Sequence, residues 1–184
     1  MQVITGKIRG RRLEAPDSAR PTLQRVKVSL FSMLNPYKIS EGRVLDLFAG
    51  SGALGIECLS RGASQTVFVD QNHQATKIIA SNLHGVSRSL YKIIESDYLS
   101  ALKSLRGGEP FDVIFIDPPY DSHMLYSAID ILYRYNLVAP NGVIVVETEA
   151  DKKMDLTHNE FIVVKDRTYG TARLTLLELK PTDS

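Results

Sequence analysis

Short runs of apolar, largely β-branched residues recur along this chain, and segments of helix length separate them. Val44-Leu45-Asp46-Leu47, Thr66-Val67-Phe68-Val69-Asp70, Val113-Ile114-Phe115-Ile116 and Val143-Ile144-Val145-Val146-Glu147 are too continuously apolar for strands with one face in water. Strands buried on both faces of a parallel sheet read this way. Tyr91 to Glu95 is a further, more polar strand. Helices are expected from about Asn72 to Leu83, from near Tyr98, and from about Met124 to Tyr135, where Leu125, Ile129 and Leu132 share a face. Thr22 is a suitable N-cap for another from about Leu23 to Leu34, which Asn35-Pro36 ends. Alternation of this kind predicts a doubly wound α/β sheet. Asn141-Gly142 reads as a turn before its strand. The last third differs: Phe161 to Val164 and Leu174 to Leu179 have no helix between them and are expected to pair antiparallel at one end of the sheet.

The strand at Val113 stops abruptly in Asp117-Pro118-Pro119-Tyr120. Two prolines cannot continue a ladder, and Pro118 biases Asp117 toward extended backbone. A carboxylate, a rigid peptide and an aromatic ring therefore leave the sheet together at a strand's carboxyl end, where open α/β sheets bind ligands. The first strand runs into Phe48-Ala49-Gly50-Ser51-Gly52-Ala53-Leu54-Gly55, and a helix follows to about Ser60. The spacing Gly50-x-Gly52-x-x-Gly55 in that context is a nucleotide-binding fingerprint, with Gly50 and Gly52 expected to let a ligand lie against the backbone. Asp70 follows Gly50 by twenty positions, the spacing of an acid that binds ribose hydroxyls. Asp97 stands at the same edge, and an N-cap for the helix at Tyr98 is its alternative role.

This pattern does not separate a nicotinamide dehydrogenase from an S-adenosylmethionine enzyme. Two features favour the methyl donor. Asp46 lies inside the strand end, where a pyrophosphate gains nothing from negative charge but a sulfonium or α-amino group does. The closing antiparallel strands are a mark of the methyltransferase version of the fold.

The chain has 184 residues, 43% of them hydrophobic, enough to bury a core in one domain. No window approaches the roughly 20 apolar residues of a membrane span, no signal peptide is recognisable, and Cys58 stands alone, so a cytoplasmic protein without disulfides is expected. The four histidines show no metal-ligand spacing with Cys58, and no zinc is expected. The net charge of +1 is unevenly divided: residues 1–27 carry seven basic and two acidic groups, 7 − 2 = +5, which leaves −4 for the rest. A basic arm over about residues 1–22, with candidate strands at Gln2 to Thr5 and Arg12 to Glu14, suits a polyanionic partner. The charge alone equally fits a solvated tail.

Val44 to Gly52 together with Asp117-Pro118-Pro119-Tyr120 resembles the class I amino methyltransferases. More narrowly, Arg9-Gly10-Arg11-Arg12-Leu13, Arg20-Pro21-Thr22 with Arg25-Val26, Leu30-Phe31, Phe48 to Glu57 and Tyr169-Gly170 resemble the RsmD family. Those bacterial enzymes methylate the N2 amino group of a guanine in 16S rRNA of the small ribosomal subunit. The resemblance implies a Rossmann-like fold with a seven-stranded, mostly parallel sheet, an antiparallel C-terminal strand and a hairpin-like N-terminal arm. It implies a monomer that binds the donor along Asp46, Phe48, Ala49, Gly50, Ser51, Gly52, Asp70, Gln71, Asp97 and Tyr98. It places catalysis at Asp117, Pro118, Pro119 and Tyr120, and RNA on Arg9, Arg11, Arg12, Arg20, Thr22 and Arg25. DNA adenine-N6 or cytosine-N4 methyltransferases share the four-residue motif, and a non-catalytic RNA-binding module would share the arm. Departures from the family are Thr5-Gly6 for two glycines, Gln24 for an aspartate expected near the site, Ser32 for an asparagine, and Asp70 for a glutamate.

Overall fold

The computed structural model describes residues 1–15, 24–118, 122–156 and 160–181. The apolar runs become β1 (Arg43–Leu47), β2 (Gln65–Asp70), β3 (Tyr91–Glu95), β4 (Phe111–Ile116) and β5 (Val138–Glu149), and the hairpin becomes β6 (Phe161–Tyr169) and β7 (Ala172–Leu179). One seven-stranded sheet results, in the order β3-β2-β1-β4-β5-β7-β6. The first five strands are parallel, and β7 runs antiparallel to both β5 and β6. The helices are α1 (Gln24–Met33), α2 (Pro36–Ile39), α3 (Ala53–Ser60), α4 (His73–Asn82), α5 (Tyr98–Leu105) and α6 (Ser122–Arg134).

Alternation along each strand sends neighbouring residues to opposite faces. On one face Val44, Phe68, Val113, Phe115, Val143 and Val145 pack under α1 and α3. On the other, Leu45, Leu47, Ile114, Ile116 and Val146 pack under α5 and α6. Both faces are covered, which is why these strands carry so few polar residues. Strand order reverses between β1 and β4, so the crevice for a ligand opens at their carboxyl ends.

Several elements depart from expectation. Asn141-Gly142 lies within β5, not before it: between the pairs Phe111–Val138 and Val113–Val143, β5 advances five residues against two on β4. The extra residues bulge, and Gly142 fits because a Cβ there would stand 2.8 Å from the Phe111 carbonyl oxygen. Strand β6 continues through Lys165 to Tyr169; it is an edge strand, and its polar residues face water. Asn35-Pro36 ends α1 but also starts α2, because the Asn35 side chain accepts from Tyr37 N at 3.0 Å. The two strands expected in the arm reduce to one Gln2–Arg12 bridge with flanking backbone bonds from Val3 N to Arg11 O and Leu13 N to Met1 O, each 2.9 Å.

The described part of the arm is seated on the body. Val3 and Leu13 join the buried cluster under α1 and α3. Glu57 of α3 accepts from Ile4 N at 2.8 Å and Thr5 N at 3.0 Å, and pairs with Lys27 of α1 at 3.0 Å, both side chains fully buried. Gly6 approaches the end of α3 so closely that a Cβ would stand 1.8 Å from Ser60 O. Among the described residues no helix is long and apolar enough to cross a membrane.

Candidate active site at the carboxyl edge of the sheet

β1 passes into the glycine turn through Phe48, whose φ of 68° is left-handed and costly for an aromatic residue. The turn is held by bonds to the end of β2: Ala49 N to Val69 O at 2.9 Å and Gly50 N to Asp70 Oδ2 at 2.8 Å. The other Asp70 oxygen accepts from Asn72 N at 2.8 Å. Asp70 thus latches the turn to β2. The glycines differ in kind. A Cβ on Gly50 would enter open space, whereas on Gly52 it would meet Ile79, Ile56 and Phe68 at 3.2 to 3.3 Å, and on Gly55 it would strike Phe68 at 2.4 Å. A side chain at Gly50 would meet no protein atom, whereas Gly52 and Gly55 let α3 and α4 close on β2.

Asp46, Asp117 and Glu147 form a row across β1, β4 and β5. Asp46 pairs with Phe115 and Phe115 with Val145, so two residues further along β4 and β5 Asp117 and Glu147 fall on the same face, under α1. Asp46 is buried, and its Oδ2 accepts from Gly55 N at 2.9 Å. Burial pushes its carboxyl up to about 7 against the opposing pull of the Gly55 bond, with the charges of Asp117 and Asp70 adding to the rise. Glu147 is likewise pushed up to about 7, by burial and then by Asp117. Sequence reasoning had left Glu147 as a strand end; its register with Asp117 was the available signal.

Beyond the turn the edge is aromatic, with the rings of Phe48 and Tyr98 5.6 Å apart. Asp97 caps α5: its Oδ1 accepts from Ser100 N at 3.0 Å, and that bond holds its carboxyl below the usual range. Gln71 is exposed beside Asp70, and the Ser51 carbonyl faces the Asn82 amide. Pro118 is described and half-buried; Pro119 and Tyr120 lie outside the described residues. Among the described residues no group of His, Cys, Asp and Glu side chains could hold a metal.

The family model described as conserved hypothetical protein 95 matches residues 1–178. The chain belongs to this family, the RsmD family. It is 36% identical over 182 residues to the Haemophilus influenzae protein named ribosomal RNA small subunit methyltransferase D, covering 97% of this chain and 93% of that one. It is 37% identical over 174 residues to YlbH of Bacillus subtilis, covering 92% and 94%. The solved structure of yhhF from Escherichia coli superposes with a TM-score of 0.86 at 30% identity, covering 98% of both chains.

The arm by which the sequence resembled the RsmD family is more mixed in role than its charge suggests. Arg9 and Arg12 are exposed. Arg11 donates to the carbonyls of Asn82 at 3.1 Å and His84 at 2.8 Å, the end of α4, which a cation there stabilises. Arg25 is exposed and reaches the β6–β7 turn, where a Cβ on Gly170 would meet it at 3.8 Å. Arg20 and Thr22 lie outside the described residues. Gln24 holds the arm: its Oε1 accepts from Gln2 N at 3.3 Å and its Nε2 donates to Gln2 O at 3.2 Å. His123 is on α6 and exposed.

Proposed function

We propose that this chain transfers the methyl group of S-adenosylmethionine to the exocyclic N2 amino group of a guanine in 16S rRNA of the small ribosomal subunit. The observation that carries the reading is the placement of Asp117 at the end of β4, directly across the strand-order reversal from the glycine turn that follows β1. Membership of the RsmD family and the printed name of the Haemophilus influenzae relative support it.

The residues fit the donor. Open space at Gly50 admits a ligand against the backbone, and Asp70 stands beside it with lone pairs for ribose hydroxyls. Phe48 and Tyr98 offer an apolar wall for adenine, with Ala49, Ser51, Gln71 and Asp97 around it. Asp46 is a desolvated carboxyl among like charges, an environment that a cationic amino or sulfonium group relieves. S-Adenosylmethionine supplies an electrophilic methyl on a sulfonium, which departs with its bonding pair as a neutral thioether.

The chain's own work is positioning. A guanine N2 is a weak nucleophile because its lone pair is delocalised into the ring. With the Asp117 carboxylate and the Pro118 carbonyl each accepting one N–H, the nitrogen turns toward tetrahedral geometry and its lone pair points out along the line of displacement. That pair forms the new C–N bond, and the nitrogen then sheds one proton to Asp117 or to water. Pro118 and Pro119 stiffen the accepting carbonyl, and Tyr120 stacks on the extruded base. Residues 1–22 act as the RNA-holding arm through Arg9, Arg12, Arg20 and Thr22, with Arg25 continuing the surface and Arg11 fixing the arm to α4. Residues 23–184 form the catalytic domain.

Undermethylated small subunits incubated with the protein and labelled donor, followed by mass spectrometric mapping of 16S RNA, test the reading. One new N2-methylguanine is expected. Transfer to DNA with none to RNA overturns it, as does calorimetry showing binding of NAD and not of S-adenosylmethionine.

A further inference from the structure

The four residues beginning at Asp117 grip an amino group, but adenine and cytosine also carry one, so the motif does not by itself choose guanine. The bases differ at the ring nitrogen next to that amino group. Guanine presents N1–H, a donor, whereas adenine N1 and cytosine N3 are acceptors. A guanine-specific site therefore needs an acceptor beside the group that holds N2.

Glu147 stands there. It is one step past the Ile116–Val146 pair, on the strand adjacent to Asp117 and on the same face of the sheet. Neighbouring strands lie about 4.8 Å apart, so two carboxyls so placed can converge on two adjacent donors of one base edge. Glu147 Oε2 is shielded from water and has no hydrogen-bond partner among the described residues. A carboxylate oxygen desolvated without a donor is unfavourable, and a donor delivered by the substrate relieves it. The charge of Asp117 acts on Glu147, which places the two carboxyls within electrostatic reach of each other.

We propose that Glu147 accepts the N1–H of the target base and is the residue that selects guanine over adenine and cytosine. The inference rests on the proposed methyl transfer to a guanine N2. Selection works by repulsion as well as attraction, since an adenine or cytosine in the same pose sets a ring-nitrogen lone pair against the carboxylate.

The test uses the full-length protein, the variant Glu147→Gln, and small subunits reconstituted around 16S RNA carrying either guanosine or 2-aminopurine riboside at the mapped target position. 2-Aminopurine keeps the 2-amino group but has a bare N1; it also lacks O6, a loss common to both enzymes that cancels in the comparison. The wild-type protein is expected to favour guanosine by at least about tenfold to a hundredfold in kcat/KM. Glu147→Gln, whose amide can donate to a bare N1, is expected to compress that preference at least about tenfold. The ratio does not depend on how much variant is folded, and a merely structural role for Glu147 would leave it unmoved. A wild-type enzyme active on guanosine, with the same preference in Glu147→Gln, overturns the assignment of Glu147 alone. A wild-type enzyme inactive on guanosine overturns the underlying reaction, and this inference with it.

Discussion

Replacing Asp46 by Asn separates what the site does for the donor from what it costs the fold. The substitution keeps shape, and the Asn carbonyl oxygen can still accept the bond that Gly55 N now makes at 2.9 Å. What disappears is a buried charge. Asp46 is raised from 3.8 to about 7, chiefly by burial, so the native state holds this proton more tightly than the unfolded chain. A group raised in this way contributes stability below pH ~4 that is lost as pH climbs through about 7. Three pKa units correspond to about 4 kcal/mol by linkage. The Asn amide hydrogens need an acceptor in return, a cost of about 1–3 kcal/mol. Asp46→Asn is therefore expected to raise stability at pH 8 by about 1–3 kcal/mol, or about 2–12 °C in melting temperature for a chain of this size. At pH 4 only the amide cost remains, and the variant is expected to be less stable than the wild type by about 1–3 kcal/mol. Donor affinity moves the other way, falling about tenfold to a hundredfold with the loss of a charged partner. In the wild type the donor should bind more tightly as pH rises through about 7, and in Asp46→Asn that dependence should flatten. Urea unfolding and calorimetry between pH 5.5 and 8.5 measure both halves. A variant less stable than wild type at pH 8, or a stability difference independent of pH, refutes the reasoning.

Asp117→Ala should abolish methyl transfer, below about 1% of wild type, while donor affinity by calorimetry stays within about threefold, because a transition-state contact is lost and the donor turn is untouched. Glu57→Gln removes the opposite charge from buried Lys27, leaving it the Gln2 carbonyl, and should cost about 3–5 kcal/mol in urea unfolding, with Lys27→Met/Glu57→Gln costing clearly less than the sum of the two single changes; strict additivity would dismiss the pair as a coupled unit. Arg9→Ala and Arg12→Ala should each weaken RNA binding and reduce the salt slope by about one in a filter-binding titration, with the melting temperature unchanged. Arg11→Ala should instead lower the melting temperature, by up to about 2 kcal/mol of stability, because its guanidinium closes the end of α4.

The parts of the fold that could be read in the sequence are those where burial leaves a strand no choice of residue. Val44 to Leu47, Val67 to Val69 and Val113 to Ile116 are almost wholly inaccessible, and their continuous apolar character follows from helices on both faces. Sheet edges and bulges lack that constraint. Lys165 to Tyr169 resembled a loop because an edge strand faces water, and Asn141-Gly142 resembled a hairpin turn because a bulge and a turn recruit the same residues. In the site, Asp46 and Asp70 were legible from their spacing to Gly50. A glycine reports a close approach without saying to what: Gly52 and Gly6 approach Phe68 and Ser60 of the protein itself, which spacing alone does not reveal. The role of Gln24 was equally hidden, since its amide faces the backbone of a segment 22 residues away.

The same contacts that obscured those roles tie the arm to the donor turn. Asn82 is buried at the end of α4, and its amide reaches in two directions: Nδ2 donates to Glu14 O at 2.9 Å and to Ser51 O at 3.0 Å, and Oδ1 accepts from Glu14 N at 2.9 Å. Ser51 lies between Gly50, which Asp70 latches to β2, and Gly52, which Ile79 of α4 packs from behind. The glycine turn is thus gripped by side chains of β2 and α4, and the arm by α4 and α3, with α4 common to both. Electrostatic and positional catalysis depends on groups already fixed before reaction, because reorganising them would consume the gain. A turn and an arm braced on one helix meet that condition.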